Sequence, residues 1–186
     1  MLFIRELKAS LASQAIVMSV LDGKRSDAHD KAIKWNDLAL SEPGNYGLSS
    51  AAKHCTAMTD VMMQDFASTP DNGQITTFVH AYPGIVSTGI FANTSLPFYA
   101  RFILGILSKL FAISPDVCAD RLIDGMVKCH RSTLADVGLN GSAGRGGKSY
   151  NIGHEKIVNK MLVDSTTVER VRTHTWKLVD EQTFGA

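Results

Sequence analysis

A nearly continuous apolar run, residues 15–21 (AIVMSVL), and a strand-like run, residues 75–82 (ITTFVHAY), flank one long amphipathic segment, and this arrangement most narrows what the chain can become. The first run, bounded by polar residues, suits a strand buried on both faces. Between the two runs Ala51, Ala52, Cys55, Thr59, Met62, Met63 and Phe66 recur at helical spacing, which predicts a helix from Leu48 with one face on a core. Strand, helix and strand in that order predict parallel pairing. A third short strand is expected at 149–152, after another helix. The expected class is therefore α/β, a parallel sheet of about three strands with flanking helices.

The remaining segments fit around this frame. Residues 2–12 read as a helix with Ile4, Leu7 and Leu11 on one face. Residues 22–45 read as loop, ending in the turn signal SEPGN, and 68–73 (STPDNG) break the long helix. Ser114-Pro115-Asp116 predicts a helix start, with a capping hydroxyl, a first-turn proline and an acid near the positive end of the helix dipole. That helix is expected to run to about Cys129. A glycine-rich loop follows at 139–147. Thr166-x-x-Glu169 has capping-box spacing and predicts a last helix through Trp176 toward Val179.

Composition bounds the function. In 186 residues, 45% hydrophobic and 20% charged, the chain can bury one ordinary core. A net charge of +1 gives no reason to expect nucleic acid or an anionic membrane as a partner. Cys55, Cys118 and Cys129 are odd in number and scattered in apolar surroundings, which predicts buried thiols in a reducing compartment and a cytoplasmic location. The greasiest stretch, 96–113, is interrupted by Arg101, Gly105 and Lys109 and is too short for a transmembrane helix. It reads as a helix with one buried face, as a flap over a substrate cavity, or as a membrane-surface helix. The six histidines show no metal-ligand spacing with one another or with the cysteines, so no metal is expected.

The second apolar run stops at Pro83-Gly84, with Val86 and Thr88 at fixed offsets beyond it. Strand carboxyl ends are where open α/β sheets hold ligands. This Pro-Gly-x-Val-x-Thr pattern, with Tyr46 upstream at the start of a helix, resembles the later half of the short-chain dehydrogenase/reductase family, in its divergent, retinol-dehydrogenase-like form. The likeness covers the chain from its first helix to about Gly153. It implies a single truncated, partial Rossmann-like domain over 1–186, lacking the amino-terminal dinucleotide-binding half. It implies NAD(P) as cofactor, oxidoreductase chemistry, and alcohol/carbonyl interconversion on a small hydrophobic substrate.

The resemblance also assigns residues. Tyr46 would exchange the substrate proton, and Ser19 and Ser50 would orient the substrate oxygen. Pro83, Gly84, Val86 and Thr88 would form the nicotinamide-facing wall. In the family a lysine one helical turn after the tyrosine lowers its pKa, because i and i+4 share a helix face. Here that position holds Ser50, and Lys53 at i+7 is a further turn along. Ser19 aligns with the first of two family serines and Val20 with the second. Residue by residue, plainer readings stay open: a helix-start aromatic for Tyr46, a backbone-bonded strand serine for Ser19, a capped turn for 83–88. For the whole chain, the alternatives are a catalytically inactive interaction module or a partial product of a longer dehydrogenase. A central strand left at a sheet edge would favour a homo-oligomer or pairing with a full-length relative. GSAGRGGKS, at 141–149, is not a phosphate loop: Ser142 stands where the motif needs glycine, and the segment leads to a strand.

Overall fold

A computed structural model of the protein describes residues 2–22, 29–69, 75–88, 97–140, 148–153, 156–158 and 163–184. In chain order the elements are α1 (Leu2–Leu7) with a 3-10 turn at Lys8–Ser10, β1 (Ile16–Val20), α2 (His29–Ala32), α3 (Leu48–Ser68), β2 (Thr77–Tyr82), α4 (Phe98–Phe111), α5 (Pro115–Asn140), β3 (Lys148–Gly153), β4 (Lys156–Val158) and α6 (Ser165–Phe184). The strands form one sheet in the order β1-β2-β3-β4. The β1–β2 and β2–β3 pairs are parallel, and β3–β4 is antiparallel. The fold is the expected α/β arrangement: three parallel strands with flanking helices, to which the short β4 adds a hairpin partner.

Side chains alternate along β2 and sort the helices onto two faces. Phe78 joins Met62, Met63 and Phe66 of α3 and Val171 of α6 in one core. Val79 and Ala81 join Ile152 of β3 and Cys129 of α5 in the other. The Phe66 and Phe78 rings lie 6.0 Å apart and nearly parallel, and Trp176 meets Phe66 edge-on. Arg5 ties α1 to α6, with its guanidinium 4.6 Å from the Trp176 ring centre and 2.9 Å from Asp180. Central β2 is almost wholly buried, whereas β1, at the sheet edge, is half-buried and ends on the exposed residues Val20 and Leu21.

Several details depart from the sequence reading, each for a physical reason. Helix α5 continues to Asn140 instead of ending near Cys129, because polar residues extend its inward stripe. The Thr133 hydroxyl sits 3.2 Å from the Tyr150 hydroxyl, and His130 Nδ1 lies 2.9 Å from Thr77 Oγ1. These partners on the sheet satisfy groups that a hydropathy pattern scores as exposed. Helix α6 is capped by Asp164 rather than by a Thr166–Glu169 box. Asp164 Oδ1 accepts from the Thr166 and Thr167 N–H groups at 2.9 Å each, and Glu169 pairs with Arg172 instead. The Thr167 hydroxyl and these amides hold the Asp164 carboxyl below its ordinary pKa. Cys118 and Cys129 are buried as expected, and burial pushes the Cys129 thiol up to about 11; Cys55 is exposed. The four-residue α2 lies within the expected 22–45 loop. The glycine-rich 141–147 segment is outside the described residues.

Candidate functional site

In a β–α–β unit the helix returns antiparallel to its strands, so the first turns of α3 stand over the carboxyl end of β1. A depression of about 410 Å³ lies there, lined by Leu21, Asp22, Leu48, Ser49, Lys53 and Thr56, among others. Its size falls in the range of small-ligand pockets. The Leu21 N–H donates to the Ala81 carbonyl at 2.9 Å, so the depression is one strand away from the end of β2.

That neighbouring end is the Pro83–Thr88 turn. Pro83 has no N–H and stops the ladder, and Gly84 follows at φ +77°, which a side chain would strain. The Cys118 thiol lies 3.5 Å from the Pro83 carbonyl. Val86 forms an isolated parallel bridge with Ile113: the Ser87 N–H donates to the Ile113 carbonyl at 2.9 Å, and the Ile113 N–H to the Ile85 carbonyl at 3.0 Å. The Thr88 N–H donates to the Val86 carbonyl at 2.9 Å, and the Thr88 side chain is exposed. The turn is thus a fixed wall, held by the chain between α4 and α5.

The expected proton-exchanging group sits differently from the sequence reading. Tyr46 does not open the helix. Gly47 is the N-cap, with extended backbone at φ −167° and ψ 152°, and α3 starts at Leu48. Tyr46 precedes the cap and is 71% exposed. The i, i+4 relation to Ser50 and the i+7 relation to Lys53 therefore do not put these side chains on one helical face. Glycine at the cap supplies no side-chain oxygen, so the sequence carried no hydroxyl or acid to mark the helix start. The Ser50 hydroxyl is engaged locally, 3.0 Å from both the Asn45 and Gly47 carbonyls. Ser19 is half-buried in β1, in register with His80 of β2 and Asn151 of β3. None of Ser19, Tyr46, Ser50, Pro83, Gly84, Val86 or Thr88 is among the residues lining the depression.

The chain leading to Tyr46 is a polar loop that sequence reasoning missed. Asp37, 7% exposed, accepts from the Ser41 and Glu42 N–H groups and the Asn45 amide, each at 2.9 Å, and from the Ser41 hydroxyl at 3.1 Å. The Asn45 amide first, then the two backbone amides and the hydroxyl, lower its pKa from 3.8 to about 2 against the opposing effect of burial. The same stretch is pinned to α3 by His54, whose Nδ1 accepts from the Lys34 N–H and whose Nε2 donates to the Leu38 carbonyl, both at 3.1 Å. An aspartate followed by Ser41, Glu42 and Asn45 was the available signal, since aspartate bonds backbone a few residues on.

Because Asp37 titrates lower in the fold than in the unfolded chain, its contribution is complete above about pH 4 and is lost as pH falls through about 2. Fluorescence of the nearby Trp35 is expected to change across that window, and the Asp37→Asn protein should lack the step. A step that persists unchanged in Asp37→Asn would assign the acid transition to another group.

A second missed feature lies deeper. His80 on β2 and Asp60 on α3 are both 0% exposed at the side chain, with Nδ1 and Oδ1 2.5 Å apart. The carboxylate can only accept, so Nδ1 carries the proton. His80 Nε2 has no hydrogen-bond partner among the described residues. The pair sits on the α3 side of the sheet, sealed from solvent and not lining the depression. A histidine inside an apolar strand, and an acid four residues after buried Thr56 on the inward stripe of α3, were its signals. Among the described residues, no group of three or more His, Cys, Asp or Glu side chains could hold a metal ion. No helix there is long and apolar enough to cross a membrane.

Comparison with known proteins adds no family: no family model, curated protein or solved structure matches this chain.

Proposed function

We propose that the chain is a divergent relative of short-chain dehydrogenases that binds NAD(P) at the carboxyl ends of β1 and β2. In this reading it acts, or derives from a protein that acted, on a hydrophobic alcohol or carbonyl. The observation that carries the reading is the junction of a parallel strand pair, a Pro83-Gly84 stop with Gly84 at φ +77°, and a ligand-sized depression one strand away. The rigid 83–88 turn would meet the nicotinamide, with Val86 and Thr88 on its cofactor side. Lys53, in the depression wall, is a cation available there for a ribose or phosphate. The bound cofactor would supply or accept the hydride; Tyr46 would exchange the proton and Ser19 orient the oxygen.

The engaged Ser50 hydroxyl and the placement of Tyr46 ahead of the cap favour a second reading, a non-catalytic interaction module. There the edge strand β1 would meet a second copy or a full-length relative. Titration with NADH and NADPH, followed by cofactor fluorescence, separates the two. The first reading expects saturable binding, weakened roughly tenfold by Lys53→Ala, the loss of one charge-assisted contact of about 1.4 kcal/mol. An absence of saturation at millimolar cofactor would leave the interaction module standing.

A further inference from the structure

Helix α4 presents an apolar face that the fold does not use. Phe98 is 83% exposed, Phe102 69% and Ile103 54%, with Tyr99, Ile106 and Phe111 exposed as well. Phe98, Phe102 and Ile106 follow i, i+4, i+8 spacing, and Tyr99 and Ile103 lie beside them, so five of the six form one continuous band. No other helix or strand packs along α4 among the described residues. The band exposes on the order of 500 Å² of apolar surface in one place, at the upper end of what a monomeric soluble protein leaves in a single patch. The helix is nonetheless tethered: at its carboxyl end the Ile113 bridge to Ile85 and Ser87 fixes it to the end of β2.

Charge narrows what can cover this band. Residues 72–115 contain no Asp or Glu, although 18 acids in 186 residues would place about four in a stretch of that length. The only Lys or Arg residues in the stretch are Arg101 and Lys109, both on α4. A second copy docking through α4 would bring two segments of the same composition together, each with two cations and no acid to meet them. An anionic surface has the complementary sign. Aromatic and branched apolar side chains with interspersed basic residues and no acids are the composition of helices that lie in a lipid headgroup layer.

We infer that α4 is a peripheral membrane anchor that lays its Phe98–Ile106 face into an anionic lipid surface. The assignment does not depend on the cofactor reading above. It places the lipid surface beside the Pro83–Thr88 turn, because the Ile113 bridge holds the end of α4 there.

The test is flotation of the full chain with vesicles of phosphatidylcholine alone and with roughly a third phosphatidylserine. Binding is expected to be roughly tenfold or more stronger to the anionic vesicles and to fall as salt is raised, since two basic residues act near the surface. Phe102→Ser with Ile106→Ser, at exposed positions, should keep the native circular dichroism and lower binding at least tenfold. Arg101→Gln with Lys109→Gln should remove the preference for anionic lipid. The inference is overturned if neither vesicle binds, or if the Ser pair binds as well as the native chain. It is equally overturned if the face instead drives concentration-dependent self-association without vesicle binding.

Discussion

Asp60→Ala is expected to lower folding stability by about 1–3 kcal/mol, the range for leaving a buried hydrogen-bonding group unsatisfied. Asp60 and His80 are both fully sealed, and the imidazole Nδ1–H points at the carboxylate from 2.5 Å. Deleting the carboxylate removes the partner of Nδ1 and leaves a buried imidazole whose Nε2 already has none among the described residues, in a core formed by Phe78, Met62 and Met63. The cost is that of the orphaned group, not of the attraction alone. The double change Asp60→Leu, His80→Phe removes both polar groups together and is expected to recover most of the loss. Urea denaturation of the three proteins measures this directly. A loss below about 1 kcal/mol for Asp60→Ala would mean that water reaches the pair.

Gly125→Val in α5 is expected to cost about 2–3 kcal/mol, against the usual rule that glycine weakens a helix interior by roughly 1 kcal/mol. A Cβ at Gly125 would come within 2.9 Å of Ile152 Cδ1 and 3.1 Å of Ile152 Cγ2. Ile152 is itself buried on β3 among Val79, Ala81 and Cys129, so it has little room to yield. Glycine is required here by close approach of helix to sheet, not by backbone angle. Gly125→Ala sets a propensity gain of about 1 kcal/mol against the same contact and should end mildly destabilised. Ile152→Val removes the Cδ1 methyl, at a cost of about 0.5–1.5 kcal/mol alone, and should offset part of the Gly125→Ala loss when combined with it. Strictly additive losses in that double mutant would show that the two positions do not press on each other.

Much of the architecture was legible because apolar period carries it. The runs at 15–21 and 75–82 became β1 and β2, and the 48–66 stripe became α3, its inward residues Met62, Met63 and Phe66 buried as spacing implied. What stayed hidden is polar groups working inside the fold. Thr133 and His130 extend α5 by bonding to Tyr150 and Thr77, partners far off in sequence. Asp60 and His80 interrupt two apolar patterns and only make sense together. β4 is three residues long, too short for any period to show. At the candidate site the helix start at Leu48 was legible, but Tyr46 was counted as part of the helix. Gly47 caps α3 through its backbone, so the helix begins after Tyr46, and the face-sharing argument for the tyrosine fails with it.

Helix α5 lies across the sheet and touches all four strands, from edge β1 to the β4 hairpin. At about 1.5 Å per residue its 26 residues reach roughly 39 Å, enough to act as a splint over every hydrogen-bonded ladder. Detaching any strand therefore also strips contacts from this one rod, which couples the opening of each to the others. The α4 arm joins this scaffold through the Ile113 bridge to Ile85 and Ser87, so its attachment rests on two backbone bonds rather than on the packing that unites the strands.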